Sequence, residues 1–128
     1  DSCNAGSAGN ELAGNGDSSL WRTCNELVFA GYTNWRVPTR EELKGLIDCD
    51  NGHALGSGSA SRCADGGPNF ASPAIDQTLF SGFPNTLFWS SKSSDAATTE
   101  GWVIFFTDGS LGEETKFNSL AALCVRDQ

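Results

Sequence analysis

The chain has 128 residues, 15 of them Gly and none Met, and its 16 Asp and Glu outweigh its 8 Lys and Arg to give a formal charge of −8. That length suits one domain, and 38% hydrophobic residues with eight Phe and four Trp can build a core, which excludes a disordered tail. The basic residues are scattered singly, so the clusters that hold nucleic acid or an anionic membrane surface are absent, and no apolar run approaches the roughly 20 residues of a transmembrane helix.

Residues 1–17 are rich in Gly and Asn without periodicity and read as an irregular N-terminal arm. No basic and apolar leader opens the chain, so an export signal is expected to have been removed or to lie upstream of Asp1. Residues 18–128 read as the domain proper. Leu20, Cys24, Leu27 and Val28 recur at helical spacing, with Ser18 or Ser19 as N-cap and Gly31 as the stop, which predicts a helix of about ten residues. Thr39 and Glu42 form a T-x-x-E capping box after Pro38, and Leu43, Leu46 and Ile47 line one face, so a second helix is expected to run to near Asp48.

Asp50 to Ala74 is Gly-rich, contains Pro68 and Pro73, and reads as a long loop. Strands are expected at Leu87 to Ser91, Trp102 to Thr107 and Ala121 to Arg126, with Asp108-Gly109 as a turn and Glu113-Glu114 at a solvated hairpin end. Trp102 to Phe106 is apolar on both faces, as a central strand covered on both sides would be. The whole reads as α+β, with two helices, a small mainly antiparallel sheet and long loops braced by disulfides.

The five cysteines at 3, 24, 49, 63 and 124 fall in no zinc-binding spacing, so disulfides and an oxidising compartment outside the cytoplasm are expected. Two bridges among five cysteines leave fifteen arrangements open. Cys49 and Cys63 flank the least ordered stretch of the loop, and a bridge there would clip about 15 residues, worth on the order of 3 kcal/mol.

Six segments then occur in a recognisable order: Gly31-Tyr32-Thr33-Asn34-Trp35-Arg36-Val37-Pro38-Thr39 after the first helix with its Cys24, Pro73-Ala74-Ile75-Asp76, Phe83-Pro84-Asn85-Thr86, Phe88-Trp89-Ser90-Ser91, Trp102 to Phe106 with Asp108-Gly109, and Leu123-Cys124-Val125-Arg126. Over residues 18 to 127 the chain resembles the family named after the C-terminal domain of the Legionella collagen-like adhesin. The resemblance implies a bacterial surface domain, extracellular in location, with a C-type-lectin-like fold. It also implies a Cys24–Cys124 bridge, leaving Cys3 to pair outside the domain. The name-giving member is a trimeric adhesin for sulfated glycosaminoglycans. A charge of −8 opposes such a ligand, and that specificity is not carried over.

Trp35 is expected in the core, Arg36 to need a carboxylate or carbonyl partner, and Arg126 to pair with Asp76. Trp89, Lys92, Asp95, Glu100, Lys116 and Asn118 are the candidate ligand-binding residues, because an aromatic ring beside hydroxyls and charges suits a sugar, although a strand Trp is ordinarily core. Asp48, Asp50, Asn51 and Asp65 are a tentative calcium cage. An EF-hand is excluded, since Ser59 stands where its bidentate Glu belongs, and a solvated acidic loop is the ordinary alternative. No other cofactor is expected. His53 is the sole histidine and no nucleophile and base are spaced for catalysis, so the chain does not read as an enzyme. The expected function is an adhesin or pilus-tip domain whose partner is a glycan or glycoprotein. The alternative is a structural head or assembly module of a minor pilin or surface fibre, acting as a homo-oligomer or fibre subunit.

Overall fold

The computed structural model describes residues 2–3, 18–50, 62–94 and 99–127. Strand β1 (Ser2–Cys3) precedes helix α1 (Ser19–Asn25), strand β2 (Trp35–Arg36) and helix α2 (Arg40–Lys44). A 3-10 turn at Cys63–Gly66 follows, then β3 (Leu87–Ser93), β4 (Glu100–Phe105), β5 (Ser110–Thr115), β6 (Leu120–Ala121) and β7 (Val125–Arg126). Five strands form one sheet in the order β1-β6-β3-β4-β5, and β2 pairs with β7 in a second, antiparallel sheet. Among the described residues the fold is therefore α+β with two helices, two sheets and two disulfides. Of the expected arm, residues 4–17 lie outside the described part, while Ser2 and Cys3 pair with Ala121 and Leu120.

Both helices are shorter than their spacing predicts. Ser18 caps α1 through the Trp21 amide, and the helix stops at Asn25, so Leu27 and Val28 are not on its apolar face. The capping box of α2 forms as expected, with the Thr39 hydroxyl accepting from the Glu42 amide and the Glu42 carboxylate accepting from the Thr39 amide. After Lys44 the chain leaves the helix, and Ile47 bridges Ile75 instead. Strand β5 was not expected. It carries Glu113 and Glu114 within the ladder, opposite Trp102 and Gly101, rather than at a hairpin end.

β4 is central, as its composition requires, and each of its faces builds a separate core. The register sets Trp89 opposite Val103 and Phe88 opposite Ile104, and alternate residues point to opposite sides. Trp89 and Val103 pack with Leu20 and Cys24 of α1 and with Val37. Phe88 and Ile104 pack with Leu43 of α2, Ile75 and Phe106. Phe83 stacks on Phe88 at 5.0 Å between centroids and meets the edge of Phe106 at 4.8 Å. Coverage is incomplete only at Phe105, which is 39% exposed, and at half-buried Trp102, over which the Arg40 guanidinium lies 4.9 Å from the ring centre.

The turn between β4 and β5 needs a left-handed residue, and Gly109 takes φ +76° there. Buried Lys44 donates to the Gly109 carbonyl and ties α2 to this turn; its desolvation draws its pKa below the usual lysine value, against the opposing effect of Asp108 and Asp65. The Cys63 amide donates to the Asp108 carbonyl from the other side.

Cys24 is bonded to Cys124 and Cys49 to Cys63. The first bridge spans 100 residues and the second 14. Closing the longer loop removes more unfolded-state entropy, so Cys24→Ala with Cys124→Ala is expected to cost about 4.7 kcal/mol and Cys49→Ala with Cys63→Ala about 3 kcal/mol. Urea denaturation of the two double variants checks this; equal losses, or the reverse order, refute it.

Candidate functional site

Beyond α1 the chain makes a two-residue turn rather than a further helical turn. Phe29 and Tyr32 exchange both backbone hydrogen bonds, at 3.1 and 3.0 Å. Ala30 and Gly31 between them have φ of 54° and 82°, the sign that a type I′ turn requires at both central positions. Residues opposed in this way carry their side chains on one face, so both rings stand on the same side of the turn. Phe29 is 63% exposed and Tyr32 46%, and adjacent Val28 is 71% exposed. Single exposed apolar residues are common, but three within five residues make a patch.

The second sheet fixes this patch from beneath. Trp35 pairs with Arg126 across β2 and β7. The Trp35 indole donates to the Tyr32 carbonyl at 3.1 Å and meets Phe29 edge-on at 6.0 Å. Trp35 is thus half-buried under the turn and not in either core, contrary to expectation. Arg126 does not pair with Asp76. Its guanidinium lies 3.5 Å from the Tyr32 ring centre and donates to the Asp127 carbonyl, a cation–π contact that needs no carboxylate.

Arg36, the neighbour of Trp35, finds the carboxylate partners its chemistry asks for. Its two terminal nitrogens donate to Glu42 at 2.7 and 2.6 Å, and one of them also reaches Asp127 at 2.8 Å. The same Glu42 closes the capping box of α2, so one guanidinium joins that helix start to the end of β7. The hydrogen bonds from Arg36 hold the Glu42 carboxyl down to about 2 and lower that of Asp127, while raising the pKa of Arg36 itself.

The residues proposed from sequence are divided by the fold. Trp89 has no exposed surface and belongs to the α1-side core, so it offers a ligand no ring face. Lys116 is 1% exposed, with its amide bonded to the Thr99 carbonyl, and is likewise not a surface cation. Lys92 and Asn118 are exposed and Glu100 is half-buried. The pairing of Glu100 with Thr115 and of Ser93 with Gly101 gathers them at one end of the sheet. Asp95 lies outside the described residues, as do Asn51 and His53.

Asp48 and Asp50 line an open cleft of about 390 Å³ with Ala71, Ile75, Asp76, Gln77 and Thr78. Two of these carboxylates already serve the backbone: Asp48 accepts from the Asp50 amide, and Asp76 from those of Thr78 and Leu79. Asp65 is not among the lining residues and accepts instead from the Arg62 amide at 2.9 Å. Among the described residues no three His, Cys, Asp or Glu side chains are grouped to hold a metal ion.

A small α+β core stapled by two disulfides is of the kind built for oxidising, extracytoplasmic compartments. The chain belongs to the Lcl C-terminal domain family, whose model matches residues 3–126. No curated protein and no solved structure matches it. The family is associated with surface adhesins and is not a known enzyme family, and together with the disulfides it points to an extracellular location. Among the described residues no helix is long and apolar enough to cross a membrane.

The Arg36 contacts yield a pH dependence. Glu42 and Asp127 both have depressed values in the folded state, so their contribution is complete above the unfolded carboxylate range of about 4 and is lost below it, for Glu42 as pH falls toward about 2. Glu42→Gln is expected to lower the urea midpoint at pH 7, and the gap from the parent protein should close between pH 5 and 2. A gap that stays constant over that range would show that Glu42 acts through packing or the helix cap alone.

Proposed function

We propose that this domain is the recognition module of a bacterial surface adhesin or pilus tip and binds a glycan or glycoprotein through the aromatic turn at residues 28–35. The observation that carries the reading is the pair of exposed rings, Phe29 and Tyr32, fixed on one face with Arg126 stacked on Tyr32. Aromatic residues and Arg are enriched at recognition surfaces, the rings because they supply large contact area at small entropic cost and Arg because its planar fork donates several hydrogen bonds. Their rigidity matters as much as their exposure. The turn hydrogen bonds and the Trp35 indole fix the backbone and the underlying ring before any ligand arrives, which reduces the ordering cost of binding.

A C-type-lectin-like scaffold fits this reading: helices on both faces of a small sheet leave disulfide-braced loops free to carry the contacts. Lys92, Glu100 and Asn118 at the end of the sheet serve as a weaker polar contact in this proposal. The main contact is metal-independent, since rings and a guanidinium engage sugar without an ion. Calcium at Asp48 and Asp50 is not needed for it.

The test is retention of the purified domain on immobilised mucin and serum glycoproteins, before and after periodate oxidation of their glycans, with calcium or with EDTA. Saturable binding is expected, unchanged by EDTA, abolished by periodate, and reduced at least tenfold by Phe29→Ala with Tyr32→Ala. Lys92→Ala with Asn118→Ala should reduce it less than threefold. Calcium-dependent binding that tolerates the aromatic substitutions overturns the assignment of the site. Absence of binding together with concentration-dependent self-association overturns the function in favour of a structural head.

A further inference from the structure

Resting on the reading of this turn as the recognition surface, we infer that its ligand is a neutral oligosaccharide, with an uncharged pyranose stacked on Phe29, flanked by the edge of the Tyr32 ring whose face Arg126 covers, and with its hydroxyls bonded by Arg126. The groups around the rings select the charge of the ligand. A cationic ligand is disfavoured because the Arg126 guanidinium already lies 3.5 Å over the Tyr32 ring, where an ammonium group would otherwise be drawn. An anionic ligand meets the opposite difficulty. The chain as a whole carries −8, Glu26 caps α1 two residues before Val28, and beside Arg126 the Asp127 carboxylate already holds Arg36, so Arg126 alone faces the field of the whole domain.

The size of the patch argues for a sugar over a protein. A stable protein interface buries about 800 Å² and some 20–30 residues on each partner, whereas the apolar surface of this turn consists of Val28, Phe29 and Tyr32. The exposed Phe29 ring matches one pyranose unit, whose axial C–H groups form an apolar face, and Tyr32 on the same side of the turn extends the contact. Arg126 supplies the polar complement. Among the described residues its guanidinium makes no ion pair and donates only to the Asp127 carbonyl, which leaves further donors of the planar fork for neighbouring hydroxyls.

The experiment is titration of the full chain with neutral oligosaccharides of glucose, galactose, mannose, fucose and N-acetylhexosamines, alongside sialylated and sulfated counterparts, followed by calorimetry and by the summed tryptophan fluorescence. Binding of at least one neutral member is expected, with an affinity that changes less than twofold between 0.05 and 0.5 M NaCl. Phe29→Ala or Tyr32→Ala should weaken it at least tenfold, Arg126→Lys several-fold, and Phe29→Trp should preserve it. Both rings are exposed, and an unchanged urea midpoint verifies that the variants fold. Binding confined to sialylated or sulfated members, neutral binding indifferent to Phe29 and Tyr32, or no binding to any member overturns the inference. Retention on glycoproteins that still depends on Phe29 and Tyr32 while no neutral oligosaccharide binds would overturn this ligand class alone and leave the recognition reading standing.

Discussion

The bond between Cys24 and Cys124 is the constraint on which the exposed surface depends. β7 is two residues long and β2 is two residues long, and a two-stranded ribbon of that length has no independent stability in water. Cys124 immediately precedes β7, and Cys24 lies in the last turn of α1, just before the chain enters the aromatic turn. The bridge thus fixes both the strand that carries Arg126 and the start of the segment that carries Phe29 and Tyr32. Its anchor is rigid because Cys24 is itself packed against Leu20, Val37 and Trp89.

Arg36 extends that constraint in a second direction. An exposed ion pair ordinarily contributes little, yet a guanidinium that meets two carboxylates from separate segments restricts geometry whatever its net energy. Here it ties the N-terminus of α2, through Glu42, to Asp127, so the helix covering one face of β4 and the strand beside the aromatic turn share an anchor. Trp35 and Arg36, adjacent in sequence, therefore perform different tasks: the indole supports the turn above it and the guanidinium fixes the strand beside it.

What could be read from the sequence follows from which signals are local. The capping box at Thr39 and Glu42 needs only four residues to be recognised, and it forms. The central position of β4 is legible because a strand covered on both faces must be apolar at consecutive positions, as Trp102 to Phe106 is. The Cys49–Cys63 bridge follows from the loop it closes, whereas the Cys24–Cys124 bridge was accessible only through family resemblance. β5 was missed because an edge strand with Leu111 as its one large apolar residue and two glutamates shows no alternation. Among the described residues its one strand partner is β4, and Leu111 is the residue that packs against the α2-side core. Trp89 and Lys92 look alike as sequence candidates, and only the register, which turns Trp89 toward Val103 and α1, separates buried from exposed.

The aromatic turn was illegible for a more informative reason. Leu27 and Val28 continue the helical spacing of Leu20 and Cys24, and nothing about Ala30 favours a left-handed backbone, which costs roughly 1–2 kcal/mol for a residue with a Cβ. Local propensity therefore points to a longer helix with its apolar residues inward. The structure instead ends the helix at Asn25, places Ala30 at φ 54° and leaves Val28, Phe29 and Tyr32 in solvent. Each of these choices is unfavourable for folding by itself. A folded sequence that departs from local preference at several adjacent positions, while its cores remain consistent at every level, concentrates the departure where function constrains it. Elsewhere the long exposed side chains Leu79 and Phe117 stand without such strain or a guanidinium partner among the described contacts. That contrast, more than exposure alone, is what sets residues 28–35 apart and supports proposing them for recognition.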